Sequence, residues 1–155
     1  MKQIISVNIL LFTIFVVTLC STEKDYNYLP DLQINIPENL QNNPDAVSFI
    51  TDNTYMLNNW SKTFENFVVE CNPYTSKNEK ELTIEEREKF GKIMIEFVAG
   101  MGKFKVDVSK MQKDADYLKC ELSKDEITSL NKVMKIFNSR AKVINDRYFN
   151  FDKKL

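Results

Sequence analysis

Few residues in this 155-residue chain are of types that do chemistry, and the most informative fact is that it contains no histidine. That excludes Ser-His-Asp and Cys-His nucleophilic catalysis, and with them every zinc site built on imidazole. Cysteine is the next candidate. Cys71 and Cys120 stand far apart in the chain, and in an oxidising compartment such a pair is expected as a structural disulfide rather than a redox or metal centre. Carboxylates occur as neighbours at Glu85 and Glu86, Asp114 and Asp116, and Asp125 and Glu126, which is raw material for glycosidase-type acid and base work. All three pairs lie off the apolar periodicity of the chain, where helix caps and solvated faces account for them. Neither a D-x-D-x-D-G calcium loop nor a phosphate-cradling glycine loop occurs, so no metal and no cofactor is expected. Asn59-Trp60-Ser61 is a candidate N-glycosylation sequon.

The elements that must position these groups start with a segment that is not structural. Lys2 precedes an apolar run from Ile4 to Leu19, and Glu23, Lys24 and Asp25 follow at once. This is the layout of a signal peptide over residues 1–20, which makes the expected mature protein a secreted one with no stable membrane insertion after cleavage. A membrane anchor that is kept is the alternative, since the run sits at the lower limit for spanning a bilayer. Lys2 is the only charge removed, leaving 20 basic and 22 acidic side chains, so there is no basic footprint for nucleic acid.

About 135 residues remain, enough for one domain with one core. The chain holds only 3 Gly and 4 Pro against 11 Phe, too few turn formers for a fold of many short strands. Residues 21–43 carry Pro30 and Pro37 and no helical period, and read as an extended arm that lays Leu32, Ile34 and Ile36 on the remainder, a helical bundle over residues 44–155. Asn43-Pro44-Asp45 is a helix start. From it one seam runs through Ala46, Ile50, Asn53, Leu57, Trp60, Phe64, Phe67 and Cys71 to a stop at Pro73. Thr83 with Glu86, and Ser123 with Glu126, have capping-box spacing. They open seams through Phe90, Met94, Phe97, Met101, Phe104, Val108, Met111, Ala115 and Leu118, and through Ile127, Leu130, Met134, Phe137, Ala141, Ile144, Tyr148 and Phe151.

The fold class is therefore all-α, an antiparallel helical bundle behind an extended N-terminal arm. Its helix count turns on Gly100-Met101-Gly102. An unbroken helix from Thr83 to Lys119 gives three long helices of a spectrin-like kind and separates the cysteines. A turn at the two glycines gives four helices and returns Cys120 beside Cys71. An interior glycine costs about 1 kcal/mol, whereas a disulfide across a loop of about 50 residues contributes roughly 4 kcal/mol. On that balance four helices with a Gly100-Gly102 hairpin are expected, although the seam keeps its phase through Met101 and Phe104 as a turn would not.

Two function classes follow. The first is a non-enzymatic, effector-like binding protein that meets a protein partner through its outer helical faces and the arm. The second is a carrier that holds an apolar small molecule or lipid among Phe64, Phe67, Phe90, Met94, Phe97 and Phe137. A cavity of about 300 Å³ or more along the seams favours the carrier, and a solid core favours the binder. Oligomeric state is not legible in this pattern.

Overall fold

A computed structural model describes residues 26–149, so the signal-peptide segment and Phe151 lie outside the described residues. Three α-helices follow one another: α1 over Pro44–Thr75, α2 over Ile84–Lys119 and α3 over Lys124–Tyr148. No strand occurs among the described residues. The helix starts form as their sequences require. Asn43 caps α1 by accepting from the Ala46 N–H at 3.0 Å, with Pro44 in the first turn. Thr83–Glu86 and Ser123–Glu126 close reciprocal capping boxes at the heads of α2 and α3.

The expected hairpin is not there. Helix α2 runs unbroken through Gly100-Met101-Gly102 for 36 residues, about 54 Å at 1.5 Å per residue. The reason lies in the aromatic core. Phe97 and Phe104 flank the glycines, and both rings meet Phe64 edge-on at 5.7 Å between centroids. A turn at residues 100–102 would take one of them off the stripe that faces Phe64. Burying a phenylalanine is worth about 2–3 kcal/mol, which outweighs a glycine's helix penalty of about 1 kcal/mol. Gly100 itself lies under the rings of Phe64, Phe67 and Trp60, whose atoms stand 3.5–3.6 Å from where its Cβ would be. Three helices thus replace the expected four, and the disulfide falls with the hairpin. Cys71 and Cys120 are free thiols. Cys71 Sγ lies 3.9 Å from Met94 Sδ, and Cys120 ends the same helix 26 residues further on, about 39 Å away along its axis.

Helix α1 is the central one, packing along both α2 and α3, which meet each other over a shorter stretch. It therefore buries two faces rather than the single seam expected. One carries Trp60, Phe64 and Phe67 toward α2, antiparallel to α1, as the Trp60–Asp107 and Cys71–Met94 contacts show. The other is the row Leu57, Ser61, Glu65 and Val69, all buried. It faces α3, which runs parallel to α1, because Ser61 meets Arg140 and Glu65 meets Arg147 and Tyr148. Pro73 does not stop α1, which continues to Thr75. In the last turn the N–H that proline lacks is one bond, and the next residues still bond backwards. Asn53 turns its amide to the Phe49 carbonyl of its own helix at 2.7 Å.

The arm is extended, with Leu29, Leu32, Ile34 and Ile36 partly buried against the core. It ends in a 3-10 turn, Glu38–Leu40, that drives Leu40 to complete burial and packs on α3. No helix among the described residues is long and apolar enough to cross a membrane.

Candidate functional site

Two places in the bundle gather side chains that could act on something else: a buried carboxylate and an open apolar cleft. The carboxylate is Glu65, 4% exposed. Its Oε1 accepts the Asn27 N–H of the arm at 2.7 Å, and its Oε2 accepts from the Tyr148 hydroxyl at 2.8 Å and from Arg147 Nη2 at 3.1 Å. Arg147 also donates to the Asn27 carbonyl. A buried charge needs this many partners, since an unpaired one would cost several kcal/mol. The Tyr148 hydroxyl is held protonated far above its ordinary range, first by burial and then by the hydrogen bond to Glu65.

Beside this node the Ser61 hydroxyl donates to the Leu57 carbonyl at 2.8 Å and accepts from Arg140 Nη2 at 3.0 Å. Arg140 Nε is buried without a partner among the described residues, and burial lowers the guanidinium pKa from its usual value. Two further clamps fix the arm. Asn58 holds both the N–H and the carbonyl of Leu32, at 2.7 and 2.9 Å, as a neighbouring strand would. The Tyr28 hydroxyl donates to Asn66 Oδ1 at 2.8 Å. Glu65 with Arg147, Asn58 and Asn66 fasten the arm across α1 and α3, and the Ser61–Arg140 bond ties those two helices together. Sequence reasoning missed Ser61, Glu65, Arg140 and Arg147. The available signal was the spacing of four from Leu57 through Ser61 and Glu65 to Val69, hidden because two of the four are polar.

The apolar cleft is different in kind. It lies between the last turns of α1 and the first of α2, encloses about 250 Å³, and is lined by Phe67, Val68, Cys71, Asn72, Thr75, Phe90, Met94 and Phe97. Four of the six side chains expected to line an apolar site, Phe67, Phe90, Met94 and Phe97, are therefore brought together. The other two are not, because Phe64 and Phe137 are fully buried in the closed core. The cleft exists because α1 and α2 outrun α3: Phe149, just past the end of α3, reaches only the level of Phe97 and Phe104. Burial, and after it the neighbouring Glu70, push the Cys71 thiol up from its ordinary value and keep it protonated.

The remaining features are surface ones. A larger, open hollow of about 430 Å³ between α1 and α2 is lined by Asp45, Asp52, Asp107 and Asp114 together with Lys110. No three metal-ligating side chains converge there or elsewhere among the described residues, and Asp107 is already taken by Trp60 Nε1 at 2.8 Å. Of the paired carboxylates, Glu86 and Glu126 are helix caps. Hydrogen bonds lower the pKa of each, from Lys77 and then Thr83 for Glu86 and from Ser123 for Glu126. In the sequon, Asn59 is exposed and the Ser61 hydroxyl is 1% exposed and committed inside the fold. A glycosyltransferase would have to read the tripeptide before α1 packs.

Fold and cleft together define a three-helix bundle with an N-terminal strap and an open apolar end. Compared with models of protein families, with curated proteins and with solved structures, the chain matches none.

Proposed function

We propose that this chain is a non-enzymatic binding protein that takes an apolar anchor side chain of a protein partner into the cleft at Phe67, Phe90, Met94 and Phe97. The observation that carries the reading is the contrast between the closed core around Phe64 and Phe137 and the open apolar cleft between α1 and α2. Phe64 and Phe137 leave no room inside the bundle, and a cleft of about 250 Å³ falls below the roughly 300–1,000 Å³ of sites that swallow a whole small molecule. It suits one aromatic or aliphatic side chain, with Met94 adapting to its shape. Of the charged groups, Glu86 and Glu126 cap helices and Glu65 with Arg147 fastens the arm, which supports a binding role over turnover. Export of the chain belongs to the same proposal and rests on Lys2 followed by the apolar run to Leu19.

Peptides selected from a random display library against the full chain test the reading. They should be rich in Phe, Leu or Met, and Met94→Glu should abolish their capture while circular dichroism stays helical. If instead no peptide is selected and a fatty acid is retained through native mass spectrometry, the chain is a carrier and the proposal fails.

A further inference from the structure

Helix α2 has a second apolar face, turned away from the core. Ile84, Ile95, Val106 and Tyr117 recur every 11 residues and are 79%, 71%, 67% and 76% exposed. Eleven residues are three helical turns and about 20° more, so the four side chains form one nearly straight line about 50 Å long. Exposed Val98 and Ala99 stand beside it. Single exposed apolar residues are ordinary; these four stand about 16 Å apart along the axis and are joined into one face by the small residues Gly91, Ala99 and Gly102 between them.

Two glycines on the same line point to what covers it. A Cβ at Gly91 or Gly102 would meet nothing within 4 Å, and neither residue has positive φ. Glycine weakens a helix interior, and nothing among the described residues requires it at these two positions, in contrast to Gly100 under its three aromatic rings. Close approach of another backbone would require it.

Charge order then selects the occupant. Glu88 and Lys113 lie on the line, one in each half of α2. When a second α2 is laid antiparallel across the midpoint between Gly100 and Met101, Ile84 falls opposite Tyr117, Glu88 opposite Lys113 and Ile95 opposite Val106. Ala99 then sits over the bare backbone at Gly102, and Glu96 falls opposite Lys105. One pair at the solvated rim, Glu85 with Asp116, is like-charged and costs little there. A parallel pairing would set Glu88 against Glu88 and Lys113 against Lys113. The sequence of this face is complementary to its own reverse.

We infer that the chain forms a two-fold symmetric, antiparallel dimer through the Ile84–Tyr117 face of α2. A strip of about 50 Å by 10 Å buries roughly 500 Å² on each chain, near the lower limit for a specific interface, so the dimer is reversible at micromolar concentration and weakens with salt. The face lies away from the cleft, and both can be occupied at once.

Sedimentation equilibrium of the full chain between about 5 and 500 µM provides the test. The wild type should show a monomer–dimer equilibrium, and Ile95→Lys with Val106→Lys should leave a monomer of unchanged helicity. Glu88→Lys and Lys113→Glu should each weaken the dimer about tenfold, and the double exchange should restore it. Residues 25 positions apart on one helix stand about 37 Å apart, so that rescue can only pass between chains, and only between antiparallel ones. A monomer at 500 µM, or association indifferent to these variants, overturns the inference.

Discussion

Two neighbouring stretches of α1, around Phe64 and around Cys71, are built from the same kinds of residue and reach opposite outcomes. Around Phe64 the rings of Trp60, Phe97, Phe104, Tyr148 and Phe149 stand 4.8–5.9 Å away, and Phe64 is fully buried. Two turns further on, Phe67, Cys71, Phe90 and Met94 are only half-buried and enclose a cleft. What differs is the number of layers. At Phe64 three helices and the arm converge, whereas at Cys71 only α1 and α2 remain among the described residues, and two helices cannot cover each other's aromatic faces. Periodicity makes a surface apolar, and the neighbours determine whether it becomes core or site.

The sharpest way to break this comparison is to truncate equivalent residues in both stretches. Phe64→Ala should destabilise the chain by about 4 kcal/mol, as expected for a large cavity in a closed core, read as the midpoint shift in urea unfolding. A loss below about 1.5 kcal/mol would mean the two stretches are alike. Next in size is Glu65→Ala, which leaves the Asn27 N–H, the Tyr148 hydroxyl and Arg147 without their common acceptor. Because Arg147 is still 28% exposed, the cost is set at about 2 kcal/mol rather than at the 3–5 kcal/mol of a fully buried pair. Hydrogen exchange should then speed up at Asn27 while the α1 amides stay protected.

The closed stretch also carries a pH signature. The native state keeps the Tyr148 proton above the pH at which an unfolded tyrosine, with a pKa near 10, loses it. The native state therefore binds more protons than the unfolded state in alkali, and stability is complete below about pH 10 and falls as pH rises beyond it. Urea midpoints measured between pH 9 and 12 should show the decline, and Tyr148→Phe should flatten it.

The smallest effects belong to the open stretch. Met94→Ala should cost about 1 kcal/mol, because a half-buried side chain leaves a dent that water fills. Cys71→Ser should shift the thermal midpoint by less than about 3 °C, and equally with or without reductant, since no disulfide is lost. A melting point that drops only under oxidising conditions would restore the cross-link.

Much of this was legible along the chain. The three helix starts follow from Asn43-Pro44, Thr83-x-x-Glu86 and Ser123-x-x-Glu126, because a cap is a local device acting within four residues. The extended arm follows from Pro30 and Pro37 in the same way. The unbroken course of α2 was also written in the phase of Met101 and Phe104, but it competed with a disulfide that local energetics favoured. Part of the cleft was anticipated through Phe67, Phe90, Met94 and Phe97, and Phe64 and Phe137 were grouped with them because periodicity ranks residues by apolarity and not by how many layers cover them.

The sequence by itself determined where helices begin, which stripes are apolar and that histidine chemistry is absent, since all three depend on residue identity or on spacings shorter than two turns. Only the tertiary structure decided that α1 is central with two buried faces, that Glu65 is paired across 82 residues with Arg147, and that the cysteines stay apart. Those outcomes depend on which helix lies beside which, and that is settled by side chains meeting across distances that no local period encodes.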